Sequence, residues 1–514
     1  MITEWLSESI SDEAKSAILL GAVDNQTISK LSKEFPSGIL LFSSNNETTT
    51  RLPKQVTLIN IKESPSLIKE KLEDFMLLDY DAPPTVKVCK SITEESTSEY
   101  NKILDLTISE IDSTMRARRT RSETGYLRQK QIFINLAGYL TKRLPSEWNT
   151  LGQESLVIVV GSGPSLDITL PLLKNGIPKP LIIACDSSLT ALKNAKLNPD
   201  FVVSIDPQKT FESCSDEGYA PGVAVLSSQS HESWSQKWGN NCCFLSGRII
   251  TEDWLVAKGI SKTDLLAINN AGLTAMMFAN FLNPAVILSV GMDLSGGGNG
   301  MERYAENTQR SHIQIQAAHY HNIPGNFKDT VPTPFLSDWQ ETSDFCKKIS
   351  TNKTVINLND RGAKLEGTTL IHPNQIEELK SALNENLKPF DSHQLNILEK
   401  RKCIRGHGLN QLLCQLTAIC DQIWAKNPEK KENIKETLPS FLRDILANHD
   451  IASLLGDFAF SVMPKISNHK KPTPQELEKY LCEIKDLTWR LEDAILKCNP
   501  DSEFLTRFFT EKFN

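Results

Sequence analysis

The chain has 514 residues, which predicts about three domains at roughly 150 residues per domain. Its 56 Lys and Arg residues against 63 Asp and Glu residues give a formal net charge of −7. This balance excludes a general nucleic-acid-binding or anionic-membrane surface, so any anion must be held locally. With 39% hydrophobic residues, 25 glycines and 25 prolines, the composition is that of a globular protein and excludes disordered, fibrous and disulfide-framework classes.

The sequence also bears on where the protein resides. The apolar runs at residues 156–160 and 285–290 are far shorter than the roughly 20 residues of a membrane helix. The N-terminus lacks the basic region of a signal peptide. Eleven cysteines with no C-x-x-C spacing favour reduced thiols over disulfides or a zinc site. We therefore expect a cytoplasmic protein with no metal site and no membrane or nucleic-acid partner; the oligomeric state is left open.

Residues 1–90 predict a small N-terminal α/β domain. Apolar strands at 16–23, 38–43 and 56–61 surround a polar helix at 25–33. Asp79 and Asp81 form a D-x-D pattern, which holds a metal and a nucleotide diphosphate in some glycosyltransferases. We favour the alternative that they belong to a turn before the following proline pair, where aspartate is common.

Two other parts of the chain predict helices without strands. Residues 91–150 carry apolar side chains at helical spacing and predict a helical connector. Its basic stretch at 115–121 indicates a solvated helix face rather than a nucleotide or partner contact. After residue 373 the strand signals end, and residues 374–514 predict a helical C-terminal domain. Its helices are expected at 374–386, 394–426, 432–449, 451–463 and 474–496.

Residues 151–373 predict a central Rossmann-like α/β domain. Short apolar strands, several of them separated by helix-length segments, indicate a parallel sheet covered on both faces. Ligands of such sheets bind beyond the carboxyl ends of the strands. The strands are predicted at 156–160, 181–185, 201–205, 223–226, 265–268, 285–290 and 355–357.

A glycine loop directly follows the first of these strands. It consists of Gly161, Ser162, Gly163, Pro164 and Ser165. Backbone N–H groups of such a loop can approach phosphate oxygens closely, and the two serines can add hydroxyl donors. The third glycine of a dinucleotide site and the Gly-Lys-Ser/Thr of a P-loop are both absent. The loop predicts a nucleotide or phosphate site, with a structural tight turn as the alternative.

Polar side chains also follow the next two strands. Asp186 and Ser187 come after the second strand, at the spacing at which an acidic residue binds a ribose hydroxyl. Asp206 ends the third strand. Each aspartate could equally cap a helix. Because three neighbouring strand ends carry polar groups, we favour a shared pocket.

Later segments add candidate catalytic residues. Gly272 lies at the start of a buried helix whose N-terminus is a second possible anion site. Asp293 follows the sixth strand and precedes a glycine-rich loop that can close over substrate; a capping aspartate on a surface loop is the alternative. His312 and His319, together with the nearby His321, are candidate general bases, because imidazole titrates near neutral pH.

Six segments resemble one family, in the same order along the chain. They are residues 157–167, 184–188, 199–208, 270–274, 289–295 and 355–367. Together they resemble the Maf (motility-associated factor) glycosyltransferases, which attach nonulosonic acids to serine and threonine of flagellin. The central domain of that family is similar to bacterial sialyltransferases and to MptE-like pterin pyrophosphokinases.

The resemblance implies roles for individual residues. The loop at residues 161–165 would hold the phosphate and ribose of a CMP-sugar, with Asp186, Ser187 and Asp206 on the cytidine and ribose side. Gly272 and Asn357 fall on matching nucleotide-binding segments. Asp293 matches a Gly-x-Asp-Leu motif, and Thr333 ends the segment from Lys328 that faces the active site. The chain departs from the family at Arg361, where the motif has glycine, and at residues 296–303, which lack an expected histidine.

The resemblance therefore implies a glycosyltransferase that moves a pseudaminic or legionaminic acid from a CMP-activated donor to flagellin. No cofactor or metal is expected, because the leaving CMP carries its own charge. Two alternatives remain. One is an MptE-like pterin pyrophosphokinase, which uses ATP and magnesium. The other is a catalytically degenerate scaffold that binds flagellin.

Overall fold

A computed structural model describes most of the chain. The described residues are 4–9, 14–44, 52–76, 78, 82–90, 92, 94–216, 218–268, 270–296, 301–314, 320–391, 401–426, 434–467 and 473–498. The D-x-D pair at Asp79 and Asp81 and the candidate base His319 lie outside them. Contacts divide the chain into two units, Met1–Arg121 and Ser122–Asn514. The finer division into four domains stays a prediction.

The first unit is a small α/β fold, as the sequence predicts. Its elements are β1 (Trp5–Ser9), β2 (Ser16–Leu20), α1 (Asn25–Glu34), β3 (Gly38–Ser43), β4 (Val56–Asn60), α2 (Pro65–Met76), β5 (Thr85–Cys89) and the beginning of α3 (Glu94–Thr141). The sheet order is β1-β5-β2-β3-β4, and only β1 runs antiparallel to its neighbour. Ile18 and Leu20 pack into one apolar cluster and Ala17 and Leu19 into another, because alternate side chains of a strand point to opposite faces.

The second unit is built on a nine-stranded sheet whose paired strands are all parallel. This confirms the Rossmann-like fold class. Its elements, after the end of α3, are β6 (Leu156–Val160), α4 (Leu166–Leu172), β7 (Leu181–Cys185), α5 (Leu189–Ala195), β8 (Phe201–Ser204), β9 (Val223–Ser227), α6 (Glu232–Trp238), β10 (Cys242–Gly247), α7 (Ile250–Ala257), β11 (Leu266–Ala267), α8 (Ala271–Phe281), β12 (Val286–Val290), β13 (His321–Pro324), β14 (Thr330–Thr333), α9 (Leu336–Ile349), β15 (Thr354–Leu358), β16 (Thr369–Ile371) and α10 (Ile376–Asn386).

The strand order fixes where a ligand can bind. The order is β11-β10-β9-β8-β7-β6-β12-β15-β16, so the sheet grows in one direction from β6 to β11 and in the other from β12 to β16. The change of direction lies between β6 and β12, and a crevice forms outside the strand ends at such a point. Strands β13 and β14 form a separate antiparallel hairpin.

Helices cover both faces of this sheet. Helix α8 contributes to the cluster on one face, where the ring of Phe278 packs edge-on against Phe201 at 4.9 Å. The other face shares a cluster with the end of α3 and with the predicted C-terminal helices. Those helices are α11 (His407–Ala425), α12 (Ile434–Ala447), α13 (His449–Leu454), α14 (Gly456–Ser467) and α15 (Pro474–Cys498). Within the described ranges, no helix has both the length and the apolar character needed to cross a membrane.

Candidate active site

A cleft of about 210 Å³ lies at the carboxyl ends of β6, β7, β8 and β12. The position is the one that parallel sheets use for ligands. Most of the predicted site residues meet here. The lining residues are Gly161, Ser162, Gly163, Cys185, Asp186, Ser187, Ile205, Asp206, Lys209, Asn270, Ala271, Gly272, Gly291, Met292, Asp293, Leu294, Ser295, Arg303, Tyr304, Phe335 and Asp338.

The glycine loop after β6 has a different role from the one predicted for its N–H groups. The N–H of Gly161 donates to the Val290 carbonyl at 2.8 Å, and that of Gly163 donates to the Gly291 carbonyl at 2.9 Å. These amides extend the pairing of β6 with β12 and are engaged within the protein. A Cβ atom at Gly163 would lie 2.7 Å from Asp293 Oδ2, so glycine is needed there for close packing of the two loops.

Asp293 is buried and joins the loops that follow three adjacent strands. Its carboxylate accepts the Ser165 N–H at 2.7 Å, the Ser165 hydroxyl at 2.5 Å and Asn359 Nδ2 at 2.9 Å. Burial raises the pKa of Asp293, while these hydrogen bonds act in the opposite direction. Because both of its oxygens are engaged, the geometry makes Asp293 a positioning residue. The same bonds occupy the Ser165 donors that were predicted to reach phosphate.

Lys209, which the sequence analysis missed, is a cation in the cleft wall. Its Nζ lies 2.9 Å from Asp186 Oδ1 and 3.2 Å from Ser187 Oγ. Burial lowers the pKa of Lys209, whereas the neighbouring Asp186 carboxylate raises it. The net shift of the pKa is upward, so the ammonium stays charged. An ammonium has three N–H donors, so one remains beyond these two contacts. Asp186 also accepts a hydrogen bond from Ser204 Oγ at 3.0 Å, so its two oxygens bind Lys209 and the end of β8.

A second cation missed by the sequence analysis is Arg303. Its guanidinium lies over the ring of Tyr304 at 5.1 Å and over that of Phe335 at 5.6 Å. Arg310 lies over the Tyr304 ring at 5.0 Å and donates to the Ser213 carbonyl. Stacking of this kind restrains a guanidinium without using its N–H donors. Arg303 can therefore present those donors to an anion in the cleft.

Four other predicted nucleotide-binding residues also line a cavity. Ser162, Asp206 and Gly272 line the cleft. Asp206 Oδ1 accepts the Gln208 N–H at 2.8 Å, which leaves Oδ2 for a ligand hydroxyl. Pro164 lines the neighbouring cavity described below instead.

Five predicted residues line neither cavity. Two of them are Ser165, whose donors bind Asp293, and His321, which begins β13. Asn357 is buried within β15, with Oδ1 3.5 Å from Ser289 Oγ, and the residue that reaches the site is Asn359. Thr333 is buried; its hydroxyl donates to the Leu294 carbonyl at 2.7 Å and accepts the Phe335 N–H at 2.9 Å. His312 is exposed and lines neither cavity.

A second cavity, of about 350 Å³, adjoins the cleft and shares Asp293 and Ser295 with it. Much of its wall comes from the β13–β14 hairpin. Its lining residues are Pro164, Asp293, Ser295, Gly296, Phe327, Lys328, Thr330, Val331, Pro332, Asp360, Arg361 and Gly362. Among the residues that the structure describes, no three His, Cys, Asp or Glu side chains come together as a metal site.

Comparisons with known proteins found a family-model match, a solved structure and a curated protein that are similar to parts or most of this chain. Residues 130–298 match the family model of the MptE-like 6-hydroxymethylpterin diphosphokinases, which confirms the predicted MptE-like similarity of the central domain. A Maf glycosyltransferase structure from Magnetospirillum magneticum AMB-1 covers 97% of this chain and 82% of its own, at 15% identity and a TM-score of 0.48. An uncharacterized protein of Treponema pallidum (strain Nichols) is 30% identical over 83 residues, which are 16% of this chain and 38% of that protein.

The family match covers most of the cleft but only a small part of the second cavity. The cleft residues from Gly161 to Ser295 lie inside residues 130–298. Arg303 and the hairpin and β15 walls of the second cavity lie beyond residue 298. The part shared with the diphosphokinase family is therefore the strand-end cleft, and the second cavity is built mainly by the following residues.

Proposed function

We propose that this protein is a glycosyltransferase that moves a nonulosonic acid, of the pseudaminic or legionaminic type, from a CMP-activated donor to serine or threonine hydroxyls of flagellin. The reaction would take place in the cytoplasm. The motif resemblance supports the donor and acceptor classes, and the geometry of the site supports a transfer between two bound groups.

The observation that carries the proposal is the pair of adjoining cavities that share Asp293 and Ser295. A transferase needs one space for the nucleotide and another for the group that is moved. The cleft at the strand ends offers cations for a phosphate and carboxylates for ribose hydroxyls. The second cavity, which lies mainly outside the family match, provides the space for the sugar.

The side chains of the cleft suit CMP as the leaving group. During transfer the bond between the sugar carbon and the phosphate oxygen breaks, and the same carbon bonds to the acceptor oxygen, whose proton is released to solvent. Negative charge grows on the departing phosphate. Lys209 and Arg303 line the cleft and can stabilise that charge as it develops. The Ser162 hydroxyl can add a further donor.

The family match favours one alternative, a pterin diphosphokinase that moves diphosphate from ATP. That activity would use the cleft but would leave the cavity beyond residue 298 without a function. A scaffold that binds flagellin without catalysis is the other alternative, and it requires no nucleotide in the cleft.

Calorimetric titration with CMP, CDP and ATP, with and without magnesium, separates these functions. We expect CMP to bind without magnesium and the affinity to fall at least tenfold in the Ser162→Ala, Asp206→Ala double variant. Magnesium-dependent ATP binding would favour the diphosphokinase, and no nucleotide binding would favour the scaffold. Intact-mass spectrometry of purified flagellin, incubated with the protein and CMP-pseudaminic or CMP-legionaminic acid, then tests transfer itself.

A further inference from the structure

The second cavity carries two cationic side chains that the nucleotide does not require. Lys328 comes from the hairpin between β13 and β14, and Arg361 comes from the loop after β15. The carboxylates that line the same cavity are already engaged. Asp293 accepts three hydrogen bonds, and Asp360 is paired with Arg361. The two cations and the two carboxylates balance in formal charge, but only the cations keep N–H donors for a ligand.

The position of Arg361 is fixed by its backbone and by its neighbour. Its N–H donates to Asn359 Oδ1 at 3.0 Å, and its carbonyl accepts Asn326 Nδ2 at 2.6 Å. Its Nε and Nη2 donate to Asp360 at 2.7 to 3.1 Å. A guanidinium has five N–H donors; those on Nε and one on Nη2 bind Asp360, so the two on Nη1 and the second on Nη2 remain to bind a ligand. The side chain is 41% exposed, and it lines the cavity.

We propose that this cavity binds an anionic group of the transferred substrate, through Arg361 and Lys328. This inference rests on the proposed function, in which the anionic group is the carboxylate of the donor sugar. A guanidinium matches a carboxylate through paired N–H donors, and an ammonium adds a second charge. A volume of about 350 Å³ lies within the range of small-molecule sites. Arg361 and Lys328 thus select a sugar acid over a neutral sugar.

The test compares three ligands by calorimetry on the full chain: CMP, CMP-N-acetylneuraminate as a CMP-linked sugar acid, and the methyl ester of that sugar acid. We expect the acid to bind about tenfold more tightly than the ester. Arg361→Gln and Lys328→Gln should each remove most of this preference and leave CMP affinity unchanged. Asp360→Asn should increase the preference, because it removes the carboxylate that competes for Arg361.

Arg248→Gln and Lys348→Gln are matched controls, since both residues are exposed and line neither cavity. Equal affinity for acid and ester in the unaltered protein would overturn the inference, as would an unchanged preference in both cavity variants. Absence of CMP binding would instead contradict the proposed function. In that case free N-acetylneuraminate decides the inference: binding that is lost in Arg361→Gln supports it, and no binding overturns it.

Discussion

Ser165 donates both its backbone N–H and its hydroxyl to the carboxylate of Asp293, at 2.7 and 2.5 Å. The two residues belong to the loops that follow β6 and β12, which are neighbours in the sheet. Asn359, beyond β15, donates to the same carboxylate. One buried side chain therefore holds together loops that line the cleft and the second cavity.

We expect Asp293→Asn to lower both activity and stability. An amide offers one acceptor oxygen in place of two, so its NH₂ group would face a donor from Ser165 or Asn359. A donor left unsatisfied in a buried site costs about 1–3 kcal/mol. Thermal unfolding should show a lower midpoint, and sugar transfer should be lost.

The control for that change is Asp344→Asn, on the exposed side of α9. It should leave both measurements unaltered. If the Asp293 variant unfolds at the normal temperature and transfers sugar at the normal rate, Asp293 does not position the loops.

Gly163→Ala should disrupt the same contact from the opposite side. The added Cβ would lie 2.7 Å from Asp293 Oδ2, so the two loops would have to separate. We expect a loss of about 1–3 kcal/mol in the free energy of unfolding, as for other overpacked sites, and weaker CMP binding. Gly408→Ala in α11 is the matched control, because no atom lies within 4 Å of its added Cβ. It should be neutral or slightly stabilising, since alanine favours a helix; equal effects at the two positions would contradict the close-packing explanation.

Lys209→Gln tests the cation of the cleft. Removal of the ammonium leaves the Asp186 carboxylate, which is 1% exposed, without its ion-pair partner. Loss of one partner of a buried pair costs roughly 3–5 kcal/mol. The single variant should therefore be unstable and bind CMP poorly.

The double variant Asp186→Asn, Lys209→Gln separates the two effects. It should regain most of the stability, because no charge remains unpaired, while the CMP affinity stays low. Normal CMP affinity in the stable double variant would show that Lys209 supports the fold without contacting the nucleotide.

A pH effect is expected from Glu252 in α7, which is 1% exposed. Burial raises its pKa to about 7 from 4.5, although its carboxylate accepts the Ser228 hydroxyl and the Gly247 N–H, both at 2.6 Å. Between pH 4.5 and 7 the folded state therefore binds more protons than the unfolded state, and stability falls as pH rises through this window.

Glu252→Gln should remove this dependence. The free energy of unfolding of the variant minus that of the unaltered protein should be more positive at pH 8 than at pH 5, by up to roughly 3 kcal/mol. Thermal unfolding of both proteins at the two pH values measures the difference. A stability gap that does not change between pH 5 and pH 8 would show that Glu252 titrates alike in the folded and unfolded states.

The parts of the site that the sequence predicted are those with a local signal. An apolar run followed by glycines, or by an aspartate, marks a strand end wherever it occurs, and Gly161, Asp186 and Asp206 were found in this way. No local pattern in the sequence indicates the role of Lys209, because that role depends on an ion pair with Asp186, which follows a neighbouring strand. Arg303 likewise depends on the distant ring of Phe335.

Two other differences have equally physical causes. Strand β10 (Cys242–Gly247) was not predicted, because it lacks β-branched residues and ends in serine and glycine, although it is buried along its whole length. The asparagine that reaches Asp293 is Asn359 rather than Asn357. Asn357 lies inside β15 and is enclosed by the sheet, whereas Asn359 lies one residue past the end of the strand.

The placement of β12 beside β6 has a consequence for how the protein is made. Val286 of β12 pairs with Leu156 of β6, so the ribosome completes β6 long before its second neighbour exists. Until β12 emerges, the amides of the glycine loop lack their acceptors at Val290 and Gly291. Pairing at such separation forms slowly, and an open strand edge is a template for other chains. A chain that stops before residue 286 would keep β6 as an exposed edge, and aggregation rather than a partly active fragment is the expected outcome.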